Sequence, residues 1–112
     1  MNARIASSVL VSGLIRRAET EGGFGALLAK GDATAGAVLV LLVERGMRKC
    51  VLERLLQPDG SYSWQTANPV DGVDEAFARL IARRRQFDPD LWIVELDIAS
   101  AERFAAEMNA VG

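Results

Sequence analysis

Four groups of residues have the types and spacing to do chemistry. The first is Lys30-Gly31-Asp32 with Gly36. Glycines beside a lysine suit a phosphate loop, in which backbone amides and a cation converge on an anion. Such a loop leads from a strand into a helix N-terminus. This one leads into Gly36-Ala37-Val38-Leu39-Val40-Leu41-Leu42-Val43, an apolar run that reads as a strand, and the second glycine–lysine pair of a P-loop is missing. A structural turn is the expected role. The second group is Asp88, Asp90, Glu95 and Asp97. Glu95 and Asp97 share one face of a strand, roughly 7 Å apart, and hard cations take oxygen ligands. Asp88 and Asp90 flank Pro89 and suit a helix-ending turn, so solvated or ion-paired acids are expected and no metal site is assigned. The third group, Arg79, Arg83, Arg84 and Arg85, has the character of a nucleic-acid patch. The aspartates that follow cancel much of that charge, and cations near a helix C-terminus have a structural explanation. The fourth is Cys50, in phase with Leu52 and Leu56 on a strand. With no histidine to take its proton it reads as a small core hydrophobe. No catalytic residue and no cofactor is expected.

Composition narrows the classes further. The absence of histidine removes the usual general base, the commonest metal ligand and the ordinary pH switch. A single cysteine allows neither an internal disulfide nor a zinc knuckle. The formal net charge of -2 gives no general pull toward nucleic acid or an anionic membrane. Ser7, Ser8, Ser12 and Gly13 break the early apolar run, unlike a signal peptide, and no run has the length of a membrane span. The expectation is one cytoplasmic domain over residues 1–112, without internal repeats, and half the residues are hydrophobic, enough for a core.

The elements that must position these groups follow from periodicity. Leu10, Val11, Leu14, Ile15 and Ala18 make a helical stripe over Ser8 to Glu21, capped by Ser7 or Ser8 and stopped by Gly22-Gly23. Phe24 to Lys30 reads as a first strand and joins the central run at 36–43 through a turn-rich link, suggesting a hairpin. The central run is apolar on both phases and should be buried on both faces. Lys49 to Gln57 is a third strand, and Pro58-Asp59-Gly60-Ser61 turns the chain into a fourth, Tyr62 to Thr66. Asp71 suits the cap of a second helix, Val73 to Phe87. Leu91 to Ile98 is a fifth strand, and Ser100 can cap a last helix with Ala101, Phe104, Ala105 and Met108 inward. The fold class is α+β: a mostly antiparallel sheet of four or five strands, ordered 5-1-2-3-4, with two or three helices packed on it. The second helix should return the chain so that the fifth strand pairs antiparallel with the first.

Four pieces of the chain resemble the bacterial family of unknown function DUF1491. They are Leu14-Ile15-Arg16-Arg17; Gly22-Gly23-Phe24; Lys30-Gly31-Asp32 followed by Ala35-Gly36-Ala37-Val38; and Phe87-Asp88-Pro89-Asp90-Leu91-Trp92-Ile93-Val94-Glu95. The resemblance covers about residues 8 to 98 and implies a bacterial cytoplasmic protein, with no activity attached. Residues 99–112 read as a helical extension beyond the family's usual end.

The function expected is a small non-enzymatic interaction module that self-associates as a dimer. Its candidate interaction residues are Tyr62 and Trp64 on the fourth strand, whose far edge should be unpaired. The alternative is a binder of a small anionic ligand or nucleic acid through Arg16, Arg17, Lys30, Asp32 and Arg84; a carboxylate and metal enzyme comes third. Arg84 also extends the inward stripe of Val73, Phe77, Leu80 and Ile81, which points to an ion pair with Asp88, Asp90 or Glu95.

Overall fold

The structure, a computed structural model, describes residues 5–66 and 74–110, with the backbone alone for 74–77. In chain order the elements are α1 (Ser7–Thr20), β1 (Phe24–Ala29), β2 (Val38–Glu44), β3 (Met47–Leu56), β4 (Tyr62–Thr66), α2 (Asp74–Phe87), β5 (Trp92–Asp97) and α3 (Ala101–Ala110). The fold is α+β, and its five strands form one sheet in the order β1-β5-β2-β3-β4. Strand β5 runs antiparallel to β1 and parallel to β2; β2–β3 and β3–β4 are antiparallel.

The apolar run becomes the central strand because only the middle of the sheet can bury both of its phases. Val38, Val40 and Leu42 join the core under α1 and α3, with Trp92, Val94, Leu96 and Phe104. Leu39, Leu41 and Val43 join Leu91 and Ile93 on the other face, against Leu80 and Ile81 of α2. Arg45 at φ 50° and Gly46 at φ 81° make the tight β2–β3 turn, whose positive dihedrals match the twist of the flanking strands.

The observed order exchanges β1 and β5 relative to 5-1-2-3-4. The expected β1–β5 antiparallel pair forms, but β1 and β2 are not a hairpin, because β5 lies between them. The link from Lys30 to Ala37 bridges the start of β5. Asp32 N–H donates to the Asp90 carbonyl (3.0 Å), and Trp92 N–H donates to the Ala37 carbonyl (2.8 Å). The indole N–H of Trp92 reaches the Asp32 carbonyl (2.7 Å). A Cβ on Gly31 or Gly36 would overlap the Asp90 carbonyl oxygen, so the bridge needs glycine at both crossings.

The same bridge caps α1. Ser7 and Ser8 N–H donate to the Thr34 and Ala33 carbonyls, occupying amides that a helix start leaves unpaired. Ala6, not Ser7 or Ser8, is the N-cap, and it makes no side-chain capping bond. Ser7 is buried in the first turn, where its hydroxyl donates to the Gly36 carbonyl. The expected Asp71 cap of α2 lies outside the described residues. Ser100 caps α3 as expected, accepting from Arg103 N–H (3.2 Å), and the Glu44 carboxylate accepts from Ala101 N–H. The C-terminal helix is part of the core: Phe104 is 1% and Met108 4% exposed. Burying side chains of that size stabilises the fold by about 1.5–3 kcal/mol each.

Candidate functional site

A sheet of five strands has two edges, and here they differ. The β4 edge is capped at its middle residue, Trp64. Trp64 N–H donates to the Asn109 side-chain oxygen (2.7 Å), and the Asn109 amide donates to the Trp64 carbonyl (3.1 Å). Both backbone groups of Trp64 are therefore occupied by one side chain from α3. The indole is 7% exposed and lies in the core with Met108 and Phe104. Of the two roles open to an aromatic on an edge strand, a lid on the core or an anchor for a partner, the buried Trp64 has the first, and Asn109 occupies its backbone groups in place of a further strand. Tyr62 lies beneath Arg54, whose guanidinium carbon is 4.2 Å from the ring centre.

The β1 edge is of another kind. Its sequence, Phe-Gly-Ala-Leu-Leu-Ala, carries no charge, and Phe24, Leu27 and Leu28 are 56%, 45% and 49% exposed. On its inner side β1 pairs with β5 from Phe24–Asp97 to Ala29–Ile93, with a bulge that leaves Leu28 without a partner in the ladder. Helix α1 packs on one face of β1, where Ile15 lies over Gly25. No strand pairs with the outer side of β1 among the described residues.

The cationic candidates do not converge. Arg16 is exposed on α1, and Lys30 is exposed at the end of β1. Arg17 pairs with Glu21 (3.4 Å) and Glu107 (2.9 Å) and lies over the Phe104 ring. The Asp32 carboxylate folds back onto its own loop, accepting from Thr34 and Ala35 N–H. Together with the strand that follows, this makes Lys30–Gly36 a bridge rather than an anion cradle.

Arg84 lies over the sheet as the stripe requires, but its partner is Glu53 on β3 rather than Asp88, Asp90 or Glu95. The pair spans the face under α2 and is about one-quarter to one-third exposed on each side. Asp88 instead accepts from Asp90 N–H (3.2 Å) within the turn. Glu95 pairs across to Ala26 on one side and Leu41 on the other. No three histidine, cysteine, aspartate or glutamate side chains converge among the described residues. Cys50 is half-buried opposite Leu42, and burial together with the nearby Glu44 pushes its thiol pKa up, which keeps it protonated.

A sequence model for a protein family of unknown function, DUF1491, matches residues 5–106. The chain belongs to the DUF1491 family. A crystal structure of a DUF1491 family protein from Caulobacter crescentus CB15 is similar at 31% identity and a TM-score of 0.80, covering 90% of this chain and 94% of that one. An NMR structure of a DUF1491 family protein from the same organism gives 33% identity and a TM-score of 0.76, over 93% and 94% of the two chains. A solution structure of a protein from A. tumefaciens gives 32% and 0.72, over 92% and 93%. No curated protein matches the chain. The family match runs into α3, so most of that helix lies within the family's span. No helix among the described residues is long and apolar enough to cross a membrane.

The residues that sequence reasoning passed over are Glu53, Asn109 and the β1 edge itself. The signal for the edge was the uncharged run Phe24 to Ala29, rich in small residues beside the bulkier Trp92 to Leu96.

Proposed function

We propose that this DUF1491 protein is a small, non-enzymatic, bacterial cytoplasmic interaction module whose β1 edge pairs with the β1 edge of a second copy. One observation carries the reading. Of the two sheet edges, β4 is occupied at Trp64 by the Asn109 amide, while β1 is uncharged and carries three half-exposed apolar side chains. Natural proteins blunt open edges with charge, proline or cover, because unpaired amides and carbonyls template another strand. Among the described residues a bulge is the one such device on β1. Antiparallel pairing about a two-fold axis would close both edges at once and join two five-stranded sheets into one.

Light scattering of the eluting protein across micromolar concentrations tests this. The wild type should run as a dimer. Leu28→Lys places a charge on the edge and should give a monomer, whereas Leu56→Lys, at a residue equally exposed on β3, should leave the dimer intact. A wild type that stays monomeric throughout refutes the proposal. The scattered positions of Arg16, Arg17, Lys30 and Arg84 give the anionic-ligand alternative no shared site.

A further inference from the structure

The backbone of β1 dictates how its open edge can pair. On β5, Trp92 N–H donates to the Ala37 carbonyl and Ile98 N–H to the Val43 carbonyl (2.8 Å each), both on the β2 side. The direction of the backbone groups alternates along a strand. Trp92, Val94, Leu96 and Ile98 therefore turn theirs toward β2, and Ile93, Glu95 and Asp97 turn theirs toward β1. Phe24, Ala26 and Ala29 stand opposite Asp97, Glu95 and Ile93. Opposed residues of an antiparallel pair exchange both hydrogen bonds or neither, so these three are bonded inward to β5. Gly25 and Leu27, opposite Leu96 and Val94, turn their N–H and carbonyl groups outward.

Two-fold symmetry then leaves few registers for β1 against a second β1. The axis must fall on a residue, because an axis between two residues would set an outward pair of groups against an inward one. Centred on Gly25, the pairing sets Leu27 against Gly23 of the second copy, whose N–H is already donated to the Ala18 carbonyl (2.9 Å). Centred on Leu27, it sets Gly25 against Ala29, which lies across the bulge and is bonded inward. Centred on Ala26, it sets Gly25 against Leu27 and Leu27 against Gly25, and every outward group of both residues finds a partner.

The side chains favour the same centre independently. Ile15 Cγ1 and Leu96 Cδ2 stand 2.9 and 3.0 Å from the place of a Cβ on Gly25, so Ile15 roofs a position with no side chain of its own. In this register the half-exposed Leu27 stands opposite that glycine, against Ile15 of the second copy, and the exposed Phe24 stands opposite Leu28. All three apolar side chains of the edge are then covered. The axis falls on a small residue, where a pair without mutual hydrogen bonds brings its Cα atoms to about 4.5 Å.

We propose that two copies join through β1 in a single register, with Ala26 on the two-fold axis, Gly25 hydrogen-bonded to Leu27 of the second copy, and Leu27 packed against the second copy's Ile15. This rests on the self-association proposed above and adds the geometry of the joint.

Single-cysteine variants in a Cys50→Ala background read the register, oxidised at a concentration where light scattering shows the wild type to be dimeric. The two thiols of Ala26→Cys face each other across the axis, with Cα atoms about 4.5 Å apart and within disulfide reach. Those of Leu27→Cys are diagonal neighbours, about 7–8 Å apart, and those of Leu28→Cys are further still. Ala26→Cys should form a covalent dimer at least about tenfold faster than either of the others. Amide exchange on the wild type reads the same geometry without a substitution: dimerisation should slow Gly25 and Leu27 at least about tenfold and leave Ala26, already bonded to β5, unchanged. Faster cross-linking by Leu27→Cys or Leu28→Cys, or Gly25 and Leu27 amides unprotected in a dimer that cross-links along β1, overturns the register and leaves the self-association standing. A dimeric wild type in which none of the three variants cross-links, or a wild type that is monomeric, overturns both.

Discussion

A single methyl group on Gly36 tests whether the bridge over β5 holds the fold together. The Cβ of Gly36→Ala would overlap the Asp90 carbonyl oxygen and lie 2.9 Å from both the Asp32 carbonyl oxygen and Trp92 Cδ1. Two of these neighbours are backbone atoms, so the clash cannot be relieved by a side-chain rotation, and the bridge must lift. Lifting it loses the Asp32–Asp90 and Trp92–Ala37 backbone hydrogen bonds and the indole bond to Asp32. At about 1 kcal/mol net each, these sum to about 3 kcal/mol. The buried Ser7 hydroxyl would also lose its Gly36 acceptor. For a domain of this size the expected fall in melting temperature is more than about 10 °C. Urea melts followed by tryptophan fluorescence measure it, with the m-value checked for constancy. Gly13→Ala is the matched control: the same methyl in open space within a helix should gain about 0.5–1 kcal/mol. A Gly36→Ala midpoint indistinguishable from wild type would refute the bridge as the determinant of strand order.

Three further outcomes follow from the contacts. In a double-mutant cycle, Arg84→Met and Glu53→Gln should couple by about 1–2 kcal/mol, between exposed and buried ion pairs; additive losses would show that the pair contributes nothing. The Arg17 and Arg103 guanidiniums donate to the Glu107 carboxylate and hold its pKa below the usual range. The unfolded chain therefore takes up that proton first. The stability is present above about pH 4.3, the ordinary glutamate value, and is lost as pH falls through the depressed folded value. Glu107→Gln should flatten the melting temperature against pH in that acid window, and an unchanged slope would contradict the assignment. Cys50 should react slowly with a thiol reagent in the folded protein and fast in urea, because its raised pKa keeps the thiolate scarce; rapid native labelling would count against this.

Much of the fold is legible in the residues. The run Val38–Val43 announces a strand buried on both faces, and Pro58-Asp59-Gly60 announces a hairpin whose Gly60 has φ 89°. Element types follow from period alone. Strand order does not, because it depends on whether a link turns back or crosses over. Gly31 and Gly36 read equally as hairpin punctuation and as backbone-contact glycines, and only the position of Asp90 distinguishes them. That ambiguity placed β1 inside the sheet and hid the open edge. The Arg84 stripe correctly sent the guanidinium over the sheet, but its partner came from β3, a neighbour in space rather than in sequence. Asn109 was invisible for the same reason: a polar residue near a helix end gives no local sign that it closes a strand 45 residues away.

The pairing of β1 with a second copy is tested most directly by amide hydrogen exchange at two protein concentrations. In a monomer the outward-facing amides of Phe24–Ala29 should exchange quickly, because among the described residues only β5 pairs with this strand. Raising the concentration through the dimer transition should slow those amides by at least about tenfold, while the Trp64 amide, already bonded to Asn109, stays unchanged. Protection that appears at β4 instead of β1, or β1 exchange independent of concentration, would contradict the account.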